Sequence, residues 1–259
     1  MKTSVQRIRE SLETHGVLGL TARCLRLPLA PILRSDFGVR LSRAYNGWKF
    51  DRRFGVHTSG WVRQPAPSVV GGRAELGRPY DGSNPAHFKR IVENLEIRYE
   101  DYAFVDFGSG KGRVLLLGSA FPFRCVTGVE WSRGLHEIAQ RNIDTYKGPR
   151  VCSEIESFCM DAAQHPIPSG KSVLYFFNPF GHEVMARVLE NVRRSFEEDP
   201  REMILVYVNP RHRDVFDRAD FLKSTVDKSW FAVYRTVSER QQRTTDVASD
   251  GVAVMRASR

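Results

Sequence analysis

From residue 101 onward, short apolar runs alternate with segments of helical periodicity. Strands that are apolar on both faces and alternate with helices are typical of a parallel sheet that helices cover on both sides. The predicted strands are residues 103–107, 125–130, 155–160, 172–177, 203–208 and 230–236, and the predicted helices are residues 112–119, 132–146, 182–197 and 211–218. The run 203–208 is nearly all apolar, as expected of a central strand, whereas 230–236 alternates and fits an antiparallel edge strand. The pattern therefore predicts an α/β fold that is doubly wound around a mostly parallel sheet.

The residues before this region have a different composition. Residues 3–15 and 87–95 show helical periodicity, residues 17–33 are basic and apolar but interrupted by prolines, and residues 64–85 are rich in proline and glycine, which indicates a loop. The polar residues from 239 onward are typical of a disordered tail. We therefore predict a basic helical N-terminal extension with its linker over residues 1–78, a folded α/β domain over 79–237 and a disordered tail over 238–259.

The net charge of +9 is concentrated in the N-terminal extension. Residues 1–63 hold twelve Lys and Arg against four Asp and Glu, a net of +8, so the rest of the chain carries only +1. Four aromatic residues are interleaved with the basic ones: Trp48, Phe50, Phe54 and Trp61. Three interpretations stay open, namely binding to nucleic acid through stacking and phosphate contacts, contact with an anionic membrane surface, or a solvated cap on the core.

Two absences in the sequence narrow the class of protein. No apolar run approaches the ~18 residues that a membrane-spanning helix requires, so no transmembrane segment is predicted. The four cysteines lack a C-x-x-C pair and do not cluster with the seven histidines, which argues against a zinc site. Reduced thiols are typical of cytoplasmic proteins, and we therefore expect a cytoplasmic location.

A glycine-rich turn joins the first predicted strand to the first predicted helix in FVDFGSGKGR, residues 104–113. The phosphate-binding pattern G-x-x-x-x-G-K-[ST] does not fit, because Lys111 is followed by glycine. The dinucleotide fingerprint G-x-G-x-x-G fits less well, because its third glycine would fall on Arg113. A third pattern, an acid followed by three alternating glycines, is met in full by Asp106, Gly108, Gly110 and Gly112.

Acidic residues also follow or end the second and third predicted strands. Glu130 lies 22 residues after Gly108, close to the roughly 20-residue spacing of a carboxylate that accepts the ribose hydroxyls. Asp161 follows the third strand, with Ala162 beside it. Because ligands of such sheets bind at the carboxyl ends of the strands, acids at three successive strand ends predict one binding crevice.

This order of motifs resembles that of the class I (seven-strand, Rossmann-like) S-adenosylmethionine-dependent methyltransferases. The resemblance covers residues 101–237 and implies a seven-stranded sheet with S-adenosyl-L-methionine as cofactor. In that family the acid of the first strand attracts the ammonium group, and the acid after the third strand lies near the adenine amino group. A lid is also implied, because residues 50–100 resemble the leader of poorly characterised bacterial relatives, and in related enzymes a tyrosine-containing loop covers the cofactor. The implied cofactor-binding residues are Tyr80, Asp106, Gly108, Ser109, Gly110, Gly112, Glu130, Asp161 and Ala162.

The fourth predicted strand ends in YFFNPFG, residues 175–181, at the position expected for the methyl acceptor. This segment resembles the Asn/Asp-Pro-Pro-Tyr/Phe motif of methyltransferases that act on nitrogen, but it has one proline where the motif has two. The shorter loop, with GSG in the glycine turn, looks more like the seven-strand protein lysine methyltransferases. The resemblance implies transfer to a nitrogen of a lysine or another amine, with Asn178, Pro179 and Phe180 as the catalytic residues and the acceptor itself unknown.

Other interpretations of these motifs stay open. The Asn178-Pro179 pair is also what a plain strand-terminating turn would contain, with the proline keeping Asn178 extended. The chain could be a nicotinamide-dependent oxidoreductase, which Arg113 disfavours, or a non-catalytic module that keeps the cofactor pocket without an acceptor site. No metal-binding residues are predicted.

Overall fold

A computed structural model describes residues 36–60, 80 and 82–237 of the 259-residue chain. Seven strands in these residues form one sheet: β1 (Ala103–Phe107), β2 (Cys125–Glu130), β3 (Ile155–Cys159), β4 (Ser172–Phe177), β5 (Met203–Val208), β6 (Leu222–Lys228) and β7 (Phe231–Thr236). Their order across the sheet is β3-β2-β1-β4-β5-β7-β6. Neighbouring strands are parallel except at β7, which runs antiparallel to both β5 and β6.

The described residues form six α-helices: α1 (Asp36–Phe54), α2 (Pro85–Glu93), α3 (Arg113–Gly118), α4 (Arg133–Thr145), α5 (His182–Glu198) and α6 (Arg213–Asp217). Short 3₁₀ turns lie at Tyr99–Asp101 and Ala162–Gln164. The helix α2 begins earlier than the predicted helix 87–95, because Asn84 caps it by accepting a hydrogen bond from the Ala86 N–H at 2.9 Å. Over the described ranges, no helix combines the length and apolarity needed to cross a membrane.

Alternate residues of the central strands face two separate apolar layers. On β4, Val173 and Tyr175 pack in one layer with residues of α2 and α3, whereas Leu174 and Phe176 pack in the other with residues of α5. Each of these four side chains is at most 1% exposed. This burial on both faces confirms the predicted doubly wound, mostly parallel α/β sheet.

All six predicted strands are present to within one residue at either end, and β6 supplies the seventh that the resemblance implied. The sequence of β6, LKSTVDK, is largely exposed and lacks a clear apolar alternation, which is why it was not predicted. Because β6 lies outside β7 at the edge of the sheet, the predicted edge position of residues 230–236 is wrong. The predicted antiparallel direction of that strand is confirmed.

The second half of α1 and residues 55–60 pack against the sheet. Phe50 and Val56 are 6% and 2% exposed and belong to the same apolar layer as Val173. The Phe50 ring stacks on that of Tyr146, with ring centroids 6.4 Å apart. The predicted helix 3–15, residues 17–33, most of the linker 64–85 and the tail from residue 238 lie outside the described residues, so the predicted boundary after residue 78 stays a prediction.

Candidate functional site

The carboxyl ends of β1, β2 and β4 border an open cleft with an empty volume of about 590 Å³. The cleft lies where the strand order reverses between β1 and β4, which is the usual ligand crevice of a doubly wound sheet. Nine of the predicted site residues line it: Tyr80, Asp106, Gly108, Ser109, Gly110, Glu130, Asn178, Pro179 and Phe180. Three others, Gly112, Asp161 and Ala162, are outside this lining.

The glycine turn after β1 forms the floor of the cleft because no side chain fits there. Gly108 and Gly110 have φ angles of +80° and +55°, in the left-handed region that favours glycine. A Cβ atom on Gly108 would lie 2.4 Å from the Pro179 Cβ, and one on Gly110 would lie 2.2 Å from the Tyr80 Cδ2. The turn is therefore packed directly beneath the two loops that carry Pro179 and Tyr80.

Two buried carboxyl groups face the cleft from adjacent strands. Asp106 at β1 and Glu130 at the end of β2 are each 3% exposed. Glu130 Oε2 accepts a hydrogen bond from the Gly110 N–H at 2.8 Å, and its Oε1 accepts one from the Ser132 N–H at 2.9 Å. Burial raises the pKa of Glu130 to about 7, and burial followed by the Glu130 charge raises the pKa of Asp106 well above its ordinary value. Both carboxylates would be stabilised by a cationic or hydrogen-bond-donating ligand.

The third predicted acid, Asp161, is engaged elsewhere. Its Oδ1 accepts a hydrogen bond from the Ala163 N–H at 2.9 Å, and its Oδ2 lies 3.1 Å from Arg187 Nη2. These contacts cap the 3₁₀ turn after β3 and tie it to α5. The adenine contacts assigned to Asp161 and Ala162 stay predictions, since neither residue lines the cleft.

The turn after β4 differs from the extended backbone that the following proline favours. Asn178 has a φ of +42°, a conformation that asparagine tolerates better than most other residues. The residue is 8% exposed, and its Oδ1 has no hydrogen-bond partner within the described part of the chain. A buried carbonyl oxygen without a donor is costly, and this one belongs to a residue that lines the cleft. Asn178 therefore offers an acceptor to a ligand.

Phe180 contributes to the apolar layer beneath α5 as well as to the cleft. The residue is 6% exposed and packs among the side chains of that layer. Little of its ring is therefore free to contact a bound ligand, and its role at the acceptor stays a prediction.

Sequence reasoning missed one residue of the cleft, Arg113 at the start of α3. It is 4% exposed and lines the cleft. Its Nε donates a hydrogen bond to Thr58 Oγ1 at 2.7 Å, and its Nη1 donates one to the Ser83 carbonyl at 3.3 Å. The FDRRFGVHTSG segment was visible in the sequence, but no local pattern indicates that its Thr58 meets a residue 55 positions later.

Residues 50–60, which we call the leader strap, are fastened over the glycine turn by polar contacts. Asp51 accepts hydrogen bonds from the Thr58 N–H at 3.0 Å and from the Ser59 N–H at 2.7 Å. Lys111 Nζ donates to the Ser59 carbonyl at 2.6 Å, and the Tyr80 hydroxyl donates to the Thr58 carbonyl at 2.6 Å. The strap and Tyr80 thus close one side of the cleft together.

The described residues contain no group of three or more His, Cys, Asp or Glu side chains placed to hold a metal ion. A scan against protein-family models gave no match to this chain. A search of curated proteins gave none either.

Comparison with solved structures gave several similar chains. An RNA methyltransferase from Salinibacter ruber, in complex with S-adenosyl-L-homocysteine, is 20% identical over 61% of this chain and 94% of its own, with a TM-score of 0.41. A S-adenosylmethionine-dependent methyltransferase from Aquifex aeolicus is 14% identical over 66% and 95%, with a TM-score of 0.43. Magnesium protoporphyrin IX methyltransferase from Synechocystis PCC 6803, with bound S-adenosylmethionine, is 13% identical over 59% and 77%, with a TM-score of 0.39.

The fold itself is defined by the sheet of this chain. Six strands run parallel and β7 runs against them, helices cover both faces, and the cleft opens at the carboxyl edge beside the glycine turn. That arrangement is the one that the motif order implied from the sequence. The chain therefore has the fold of the class I S-adenosylmethionine-dependent methyltransferases.

Proposed function

We propose that this protein transfers a methyl group from S-adenosyl-L-methionine to a nitrogen atom of an acceptor, with a protein lysine or a small amine as the favoured acceptor. The observation that carries the proposal is the Asn178 side chain. Its buried Oδ1 lacks a donor in the described part of the chain and lies in the cleft that also holds Asp106 and Glu130. One cleft thus offers groups suited to the cofactor and a group suited to an N–H donor.

The residues of the cleft fit this cofactor in size and chemistry. A volume of about 590 Å³ lies within the range of roughly 300–1,000 Å³ for small-molecule sites. Asp106 would hold the ammonium group, and Glu130 would accept the ribose hydroxyls with the lone pairs that Gly110 and Ser132 leave open. Trp131 and Leu135 add apolar surface to the lining, as an adenine ring requires.

The side chains around Asn178 would orient the acceptor. Bound S-adenosylmethionine supplies an electrophilic methyl group on a sulfonium. Asn178 Oδ1 would accept a hydrogen bond from the attacking amine and hold its lone pair in line with that methyl group, so that alignment supplies much of the rate. Phe180 would place an aromatic edge beside the cationic centre. An amide oxygen is not a base at neutral pH, so the amine would release its proton to solvent before attack.

The test of the proposal is calorimetric titration of the purified protein with S-adenosylmethionine and S-adenosylhomocysteine, with NAD as the control. We expect binding of the first two ligands and none of NAD. Binding of NAD alone would contradict the proposal and favour an oxidoreductase. Lysate proteins, peptides, amines and RNA are then incubated with cofactor labelled in its methyl group, and transfer to a lysine or amine is expected. Cofactor binding without transfer to any acceptor would favour a non-catalytic module.

The partners and location of the protein are part of the same proposal. A cytoplasmic site of action follows from the cysteine spacing. Binding of residues 1–63 to nucleic acid or to an anionic membrane surface stays a prediction. Support comes from the described part of this segment, where Trp48 is 51% exposed and the Arg52 guanidinium lies 5.4 Å from its ring centroid. Binding to RNA should weaken steeply with added salt, and binding that is insensitive to salt would contradict it.

A further inference from the structure

Arg113 brings a positive charge into a cleft whose other charged groups are acidic. Among the described residues that line the cleft, Asp106 and Glu130 carry carboxyl groups, and Arg113 is the one Lys or Arg. Arg113 is 4% exposed, so its guanidinium is largely withdrawn from water. A buried cation is costly unless its donors are satisfied, and the partners of this side chain therefore indicate what it is for.

The protein satisfies only part of the guanidinium. Nε donates to Thr58 Oγ1 at 2.7 Å, and Nη1 makes a long hydrogen bond of 3.3 Å to the Ser83 carbonyl. Nη2 lies 3.9 Å from Asp51 Oδ1, beyond hydrogen-bond distance, and it has no hydrogen-bond partner in the described ranges. The Asp51 carboxylate is meanwhile occupied by Thr58 and Ser59. The fork is thus held in place on one side and keeps donor capacity on another.

The charge pattern of the cleft matches that of an α-amino acid. Asp106 and Glu130 suit the ammonium group and the hydroxyls of the ligand, but neither can neutralise a carboxylate. A planar guanidinium with free N–H groups is the side chain best suited to a carboxylate. We propose that Arg113 binds the carboxylate of the methionyl moiety of the cofactor, with Thr58 and Ser83 holding the guanidinium in position. This inference rests on the proposed function.

The competing explanation is that Arg113 only fastens the leader strap to α3. The two explanations differ in what they predict for a ligand without a carboxylate. S-adenosylhomocysteine and its decarboxylated analogue differ by that group alone, so their affinities are compared by calorimetry for the wild type, Arg113→Met and Arg113→Lys. Lys111→Met is the matched control, because Lys111 binds the same strap but does not line the cleft.

We expect Arg113→Met to weaken S-adenosylhomocysteine by about tenfold to a hundredfold, and the analogue by less than about threefold. Arg113→Lys keeps the charge without the fork, so its loss should be smaller but still selective for the ligand with the carboxylate. Lys111→Met should leave the ratio of the two affinities at the wild-type value.

Three results would overturn the inference while leaving the proposed function intact. These are equal weakening of both ligands by the Arg113 variants, no weakening of either, or the same change of ratio in Lys111→Met. If Arg113→Met does not fold, Arg113→Lys alone decides between them. If the wild type binds neither ligand, the proposed function fails first, and that result is recognisable before any variant is made.

Discussion

The stability of the ligand-free protein should fall as the pH rises towards neutrality, because Glu130 is a buried carboxyl group. Burial raises its pKa from 4.5 to about 7. The folded protein therefore holds this proton more tightly than the unfolded chain does, and that contribution is fully present below pH 4.5. It is lost as the pH rises through about 7. The difference between the two pKa values corresponds to about 3 kcal/mol, at about 1.4 kcal/mol for each pH unit.

Urea unfolding of the wild type and of Glu130→Gln at pH values from about 5 to about 8 tests this prediction. Other groups titrate in the same range, since burial lowers the pKa of His165 and gives the opposite slope. They are common to both proteins and cancel in the difference. Glutamine cannot accept from both Gly110 and Ser132, but that penalty does not vary with pH. Relative to the wild type, the variant should therefore gain about 3 kcal/mol between the lower and the higher pH.

The exposed Glu156 on β3 provides the matched control, and Glu156→Gln should follow the wild-type curve. If the stability difference between the wild type and Glu130→Gln does not change with pH, the reasoning about burial is wrong. If Glu156→Gln shifts as much as Glu130→Gln, the effect belongs to the net charge of the protein. A slope that remains in Glu130→Gln would report Asp106, whose pKa is also raised by burial.

Three further predictions concern the cleft. Gly110→Ala would place a Cβ atom 2.2 Å from the Tyr80 ring and should weaken S-adenosylhomocysteine at least about tenfold by calorimetry; Gly134→Ala, where a Cβ meets nothing within 4 Å, is its control and should not. Tyr80→Phe removes the hydrogen bond to the Thr58 carbonyl and should cost about 1 kcal/mol in urea unfolding, whereas Tyr80→Ala should also weaken ligand binding; equal affinity in both would argue against a lid. Asn178→Gly suits the φ of +42° and should keep affinity within about threefold while lowering methyl transfer at least about tenfold; unchanged transfer would remove Asn178 from the chemistry.

Most of the sheet could be predicted because its central strands are buried on both faces. Runs such as MILVYV in β5 carry a signal that does not depend on neighbours, and β5 is buried at every position except the partly exposed end. β6 was missed for the opposite reason, since its residues are mostly in contact with water and its pairing partner β7 alone makes it a strand. The helix α1 was also missed, because its sequence mixes basic, aromatic and small residues without a clear apolar stripe.

The position of the acids could be predicted, but their surroundings could not. Parallel strands bring their carboxyl ends to one edge, so Asp106 and Glu130 had to be neighbours once the strands were identified. Which of the acids faces the cleft depends on local pairing, and Asp161 turns to Ala163 and Arg187 instead. The contact between Arg113 and Thr58 depends on the path of the strap, which tertiary packing determines and no local spacing encodes.

The strand order has a consequence for the newly made chain. β7 lies between β5 and β6 but is synthesised after both, so β5 has one unpaired edge until residues 231–236 have left the ribosome. During that interval the exposed edge belongs to a strand of six apolar residues, which is the kind of edge that other chains pair with. Arrest of translation before residue 231 should therefore yield nascent chains that recruit chaperones or aggregate, while chains released after residue 237 should not.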